Sequence, residues 1–332
     1  MLNIGVVGLG PEWEHRYRPA LAKLGRRLAV RCVQASIVSQ AEQAAAELGC
    51  DVAPGLLSLM ERDDVQALLV LDTAWYGTVP AQFACQVGKP AFLASRLAHC
   101  VREADQLLRQ AAQTGVALMP DFGHRYTPAT SRLRELIATR LGRPQKLVVD
   151  VEATSPSGSA SAHSAKFAVS DAARDVLAVA LDWSVNLVGS LPVAVRAQRN
   201  HSPADGLEMR VEFRRPSAGG IAPTALIRLD PRSSSGSAND SDTSLVLKAN
   251  VECIHGTALL AGPHDVTWTL AAGISTGTST GEGVVESLTS DRPGIEVMLD
   301  HFCRRVVGGL IPVPTLDDLC RAFQLVDSAL RI

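Results

Sequence analysis

A short apolar run, Ile4-Gly5-Val6-Val7, leads straight into Gly8-Leu9-Gly10, and no other feature narrows the fold of this chain as much. The run reads as a buried strand over Leu2–Val7. The glycines read as a tight turn. Arg16–Leu24, with Pro19-Ala20-Leu21-Ala22-Lys23-Leu24 at its centre, reads as the helix that follows. Strand, glycine turn and helix in this order open a dinucleotide-binding unit. The glycines let the main chain approach a pyrophosphate, which then sits at the positive end of the helix. A generic tight turn would also use two glycines. Their place between a buried first strand and a helix favours the phosphate turn. The third glycine of the pattern is Trp13, whose indole either caps the turn from outside or fills part of the cofactor groove. Gly8, Gly10 and Trp13 are therefore the expected cofactor-binding residues of this turn.

The pattern that follows alternates. Leu28–Val33 reads as a strand, Ser39–Leu48 as a helix stopped by Gly49, and Leu56–Glu61 as a short helix. Val65–Leu71 is continuously apolar between charged neighbours, the mark of a strand covered on both faces. A helix over Ala81–Val87, a strand at Ala91–Leu93, an amphipathic helix over Val101–Thr114 and a strand at Val116–Met119 complete the series. Such alternation builds parallel βαβ units, with ligands at the carboxyl ends of the strands.

After about residue 122 the rhythm changes. A helix is expected over Leu133–Thr139 and a strand over Lys146–Ala153. A mostly apolar helix is expected over Ala172–Val188. In Leu207–Phe213 apolar and charged residues alternate. Ala225–Leu229, Leu245–Cys253, Ala258–Leu260 and Val266–Leu270 continue in that style. They predict a mainly antiparallel sheet with one wet face or one face kept for a partner. The Ser/Gly/Ala-rich Ser155–Ser164 and the polar Ser233–Ser244 read as loops. Two helices, Ile295–Val307 and Leu316–Leu330, close the chain. The fold class is thus α/β, with a Rossmann domain over 1–122 and an α/β domain with a mainly antiparallel open sheet over 123–332.

Composition narrows the partners. A chain of 332 residues that is 46% hydrophobic and 20% charged suits two globular domains. A net charge of −2 and 4% aromatic residues argue against nucleic-acid or anionic-membrane partners. The seven cysteines include no C-x-x-C pair, which fits reduced thiols in the cytoplasm better than disulfides or a metal site. The N-terminus enters a strand at once, so no signal peptide is expected. No apolar stretch has the ~18 residues that a membrane span needs.

An ordered set of residues then carries a likeness. Gly8-x-Gly10 is followed by Leu48-Gly49, the strand Val65–Leu71, Gly88-Lys89-Pro90, Leu97-Ala98 and Glu103-Ala104-Asp105. Next come Gly115-Val116-Ala117-Leu118-Met119 and Phe122-x-x-Arg125-Tyr126-x-Pro128. Leu299-x-x-Phe302 and Pro314-x-x-x-Asp318 follow near the end. In this order the chain resembles the Gfo/Idh/MocA family, the glucose–fructose oxidoreductase and inositol dehydrogenase group. The resemblance implies an NAD or NADP cofactor, a sugar-like or polyol substrate, and a homo-oligomer formed through the open sheet face.

The sequence also departs from the family. The family's Glu-Lys-Pro stands here as Ala94-Ser95-Arg96, so its lysine position is Ser95. The histidine of its Asp-x-Gly-x-His-x-x-Asp motif is Val179, between Asp175 and Asp182. The acid expected after the second strand is Ala35. Carried over residue by residue, Ser95 joins the cofactor-binding set, and Arg96 and Arg125 become candidates for binding substrate. Asp175 and Asp182 are seven apart, on one helix face, and remain as candidate acid/base groups. Helix capping and a buried hydrogen-bonded carboxylate are equally good accounts of that pair. His124 reads as a polar loop residue. The function expected is an NAD(P)-dependent oxidoreductase acting on a sugar- or polyol-like hydroxyl. The alternative is a catalytically inactive member, a pseudoenzyme that binds a nucleotide, a sugar or a protein partner.

Overall fold

The computed structural model describes residues 1–94, 101–153, 171–199, 206–217, 219–229, 245–271, 283–289 and 292–331. The chain divides into two compact units. One comprises Met1–Gly123 with Arg292–Arg321, the other His124–Asp291 with Ala322–Ile332. The segment 292–321 belongs with the N-terminal unit, although it follows the second domain in sequence.

The first unit holds six strands: β1 (Leu2–Val7), β2 (Leu28–Gln34), β3 (Asp51–Val52), β4 (Ala67–Val70), β5 (Ala91–Leu93) and β6 (Leu118–Pro120). They lie in the order β3-β2-β1-β4-β5-β6, and every pairing is parallel. This is the doubly wound order, whose crossing point lies beyond the carboxyl ends of β1 and β4. β4 is buried at every position, as its unbroken apolar sequence requires. The connecting helices are α1 (Arg18–Lys23), α2 (Val38–Leu48), α3 (Leu56–Met60), α4 (Thr73–Tyr76), α5 (Val79–Val87) and α6 (Val101–Thr114). The helix after β1 differs from expectation. A π-helical turn, Trp13–Tyr17, precedes α1 and buries Trp13 and Tyr17.

The second unit opens with α7 (Pro128–Leu136), followed by β7 (Pro144–Ala153) and α8 (Asp171–Val188). Seven more strands follow: β8 (Pro192–Arg199), β9 (Leu207–Phe213), β10 (Thr224–Leu229), β11 (Leu245–Cys253), β12 (Gly256–Leu260), β13 (Asp265–Leu270) and β14 (Val284–Ser287). With β7 they form one sheet in the order β14-β13-β12-β11-β7-β10-β9-β8. Only the β7–β10 pairing is parallel. α8 packs on β7 and β10. Leu147, Val149, Val151, Met209, Val211 and Ile227 face inward and are buried, and the residues between them face out. The chain ends with α9 (Gly294–Val306) and α10 (Leu316–Leu330). The expected loops over Ser155–Ser164 and Ser233–Ser244 lie outside the described residues.

Candidate functional site

The glycine turn stands where the sequence places it. Gly8 and Gly10 have φ of +71° and +52°, a region that L side chains rarely adopt. A Cβ on Gly10 would sit 2.3 Å from the Leu71 carbonyl oxygen, and one on Gly8 would sit 2.5 Å from Asp72 Cβ. The turn is therefore pressed against the end of β4, and only glycine fits. The Gly8 amide donates to the Gln34 carbonyl at 2.7 Å, which ties the turn to the end of β2.

The neighbouring strand end is polar and neutral. Gln34 is buried, and its Nε2 donates to the Ala35 carbonyl at 3.2 Å and to the Tyr76 hydroxyl at 3.0 Å. Gln34 Oε1 has no hydrogen-bond partner among the described residues. A buried amide oxygen without a donor is costly, and a ligand hydroxyl would supply one. The end of β2 is where a dinucleotide's ribose is held in this fold. The glycine turn and this orphaned acceptor together fit a dinucleotide.

Trp13 is 4% exposed, so its indole lies in the core rather than capping the turn from outside. Beside it, Tyr17 donates to Asp121 Oδ2 at 2.8 Å. Arg16 reaches the same oxygen at 2.7 Å and Glu12 at 2.8 Å. The Gly123 amide donates to Asp121 Oδ1 at 2.8 Å. Burial first, and then the Asp121 carboxylate, push the Tyr17 phenol well above its ordinary range, so it stays a donor. Asp121 thereby fastens the loop after β6 to the helix after β1. The sequence reading missed this group because its members lie more than 100 residues apart. Ser95 and Arg96 lie outside the described residues, and the side chain of Ala94 is buried. Lys89, from the Gly88-Lys89-Pro90 step, donates to the carbonyls of Met60 and Arg62 at 2.7 and 2.6 Å, a structural role.

In the second unit the chemistry gathers on α8. Asp175 and Asp182 are both buried, at 7% and 3% exposure. Arg125 grips Asp182 with two nitrogens, Nε to Oδ2 at 2.7 Å and Nη2 to Oδ1. His124 Nε2 lies 3.3 Å from the same Oδ2. Burial drives the Asp182 carboxyl upward, but hydrogen bonds from His124 and Arg125 outweigh it. Its pKa is held below the ordinary carboxylate value. His124 and Arg125 sit on a short 3-10 turn, Gly123–Tyr126, just before α7. α7 is fixed by Thr127, whose Oγ1 accepts from the Thr130 amide at 3.2 Å. Trp183 of α8 donates to Thr130 Oγ1 at 3.0 Å. Arg174 of α8 donates from Nε to Asp327 of α10 at 2.8 Å. The carboxylate of α8 is thus presented on a helix pinned from two sides. Among the described residues no cluster of His, Cys, Asp and Glu could hold a metal ion. No helix among them is long and apolar enough to cross a membrane.

This fold and glycine turn define the class as a dinucleotide-binding Rossmann fold. Residues 2–122 match the family model described as the oxidoreductase family, NAD-binding Rossmann fold (Gfo/Idh/MocA). No curated protein matches the chain. Solved structures match over nearly its whole length. UDP-N-acetylglucosamine 3-dehydrogenase from Acidithiobacillus ferrooxidans is 18% identical, with 99% of this chain and 96% of that chain covered and a TM-score of 0.69. A dehydrogenase from Chromobacterium violaceum is 13% identical, with 99% and 94% covered and a TM-score of 0.80. An oxidoreductase from Agrobacterium radiobacter, solved with NAD+, L-tartaric acid and magnesium, is 13% identical, with 99% and 95% covered and a TM-score of 0.74. At these identities the likeness is one of fold.

Proposed function

We propose that this chain is an NAD(P)-dependent dehydrogenase that oxidises a hydroxyl of a sugar- or polyol-like molecule. The observation that carries this reading is the glycine turn at the end of β1, beside the orphaned Gln34 acceptor at the end of β2. When bound, the nicotinamide would exchange a hydride with a carbon of the substrate. Gly8 and Gly10 would lie against the pyrophosphate, with Trp13 and Ser95 as further contacts. No acid stands at Ala35 to repel a 2′-phosphate, which leaves room for either NAD or NADP. Solved relatives named for a nucleotide-sugar dehydrogenase or crystallised with a hydroxy acid support a polyhydroxylated substrate. Arg96 and Arg125 are proposed to bind it, and Asp175 and Asp182 to line its site.

Calorimetric titration with NAD(H) and NADP(H), followed by a panel of sugars and polyols, tests the reading. Micromolar binding and reduction of the cofactor are the expected results. Failure to bind any of the four would end it. Binding with no turnover on the panel would favour the inactive, ligand-binding alternative, which the joint replacements at Ala35, Ser95 and Val179 motivate.

Two further proposals concern the molecule as a whole. It is proposed to be a homo-oligomer built through the outer face of the eight-stranded sheet. It is proposed to reside in the cytoplasm, a reading supported by free thiols at Cys32, Cys50, Cys85, Cys253, Cys303 and Cys320. Cell fractionation that recovers the protein outside the cytoplasm would overturn the latter.

A further inference from the structure

We infer that Tyr76 is a latch across the dinucleotide crevice, and that its bond to Gln34 opens when a dinucleotide binds. The inference rests on the dehydrogenase reading above and concerns how that site is regulated. β2, β1 and β4 lie side by side, and in this fold a dinucleotide crosses their carboxyl ends. Tyr76 crosses the same ends. It leaves α4 directly after β4, and its Cε2 lies 3.2 Å from where a Cβ on Gly8 would be. Gln34 Nε2, at the end of β2, donates to its hydroxyl at 3.0 Å. All of these residues belong to the first unit.

The closed arrangement is poised rather than permanent. The Ala35 carbonyl only accepts, so Gln34 Nε2 must face it, and the amide cannot turn over to find a donor for Oε1. Closure therefore makes the bond to Tyr76 and strands Oε1 in a buried position. An unmet buried acceptor offsets much of what one hydrogen bond contributes. The two neighbouring hydroxyls of a ribose can give a hydrogen to Oε1 and accept one from Nε2. Such a ligand gains on opening what the phenol gives up. This difference in affinity between two forms is what a population shift requires.

α4 is anchored at one end and loose at the other. Asp72 holds its start, where Oδ1 accepts from the Trp75 amide at 3.1 Å, and Thr73 is buried. Trp75, next to Tyr76, is 72% exposed, so little packing secures the far end. Tyr76 itself is only partly buried, and rotation of its side chain clears the Gly8 turn. While the latch is shut, the measured dissociation constant exceeds the intrinsic one by the inverse of the open fraction. Tyr76 therefore weakens binding, the opposite of a residue that holds the ligand.

Calorimetric titration of NAD(H) and NADP(H) into the wild type and Tyr76→Phe tests this by the sign of the change. Phenylalanine keeps the ring and loses the bond to Gln34. Taking one ordinary hydrogen bond from the closed form is expected to tighten binding by about 2- to 10-fold. Tyr76→Leu also lacks the hydroxyl and is expected to gain as much; it decides the matter should Tyr76→Phe fail to fold. Equal or weaker binding by the deciding variant, with the wild type still binding, overturns the latch and leaves the dehydrogenase reading standing. Binding seen only in the variant supports the latch and makes the wild type the inactive alternative. No binding by wild type or variant overturns the dehydrogenase reading, and the latch falls with it.

Discussion

At the scale of single residues, Asp182 is the group whose loss is easiest to foresee. It is buried and answers both Arg125 and His124. Asp182→Ala would remove the carboxylate that the mostly buried Arg125 guanidinium grips with two nitrogens. Breaking a buried pair in this way costs about 3–5 kcal/mol, read as a lower urea midpoint. The same ion pair sets a pH dependence. The folded-state pKa of Asp182 is lowered, so its contribution is complete above the unfolded value of about 3.9. It is lost as pH falls through the still lower folded value. Glu286 adds in the same direction, because hydrogen bonds from Arg132 and, more weakly, Trp268 outweigh its desolvation. Urea midpoints measured from pH 7 down to pH 3 should therefore drop in the wild type, and less in Asp182→Asn. Equal acid slopes for the two proteins would contradict the assignment. Gly10→Ala makes the complementary case at the turn. Its Cβ would fall 2.3 Å from the Leu71 carbonyl in a backbone region that alanine disfavours. A loss of at least about 2 kcal/mol is expected, together with loss of dinucleotide binding by calorimetry.

At the scale of elements, the caps decide what holds the site still. Thr127 lets α7 begin at Pro128, directly after the turn that carries His124 and Arg125. Thr127→Ala should cost about 1 kcal/mol in unfolding free energy and loosen that turn. Unchanged stability would mean that Thr130, which also meets Thr127 and Trp183, holds the start of the helix alone. Elements are also where the sequence was most legible. Alternation made five of the six strands of the first sheet legible as apolar runs, and Gly49, Gly88 and Gly115 mark the ends of α2, α5 and α6. Three strands escaped notice for physical reasons. β3 is two residues long, β8 opens on a proline, and β14 is a four-residue exposed edge. The π-helical turn Trp13–Tyr17 escaped because burial of Trp13 and Tyr17, rather than periodicity, fixes it. At the site, Gly8, Gly10 and the shared face of Asp175 and Asp182 were readable from local spacing. The His124–Asp182 and Tyr17–Asp121 contacts were not, since each joins residues that only the tertiary fold brings together.

At the scale of the whole molecule, the homo-oligomer proposed above would use the outer face of the second sheet. Following the register across the strands, Leu226 pairs with Val148, Val148 with Asn250, Asn250 with Leu259, Leu259 with Thr267, and Thr267 with Val285. Leu259 is 49% exposed and Val285 75%. This largely apolar row runs between charge pairs on the same face. Lys146–Glu252 at 3.0 Å flanks one side, and Lys248–Glu152 at 2.6 Å and Arg228–Asp150 at 3.7 Å flank the other. Such surface pairs are worth little to stability but set register when two sheets meet face to face. An apolar strip bordered by charge of both signs can complement itself about a two-fold axis, as an isologous contact requires. Sedimentation velocity at micromolar concentration should therefore give a dimer or a higher even assembly. Leu259→Asp would bury an unpaired carboxylate at the centre of that contact and is expected to yield monomers. The fold of each copy should survive, because residue 259 faces away from the core, and an unchanged far-ultraviolet spectrum would show it. A wild type that sediments as a monomer would remove the interface. An assembly indifferent to Leu259→Asp would place it on another surface.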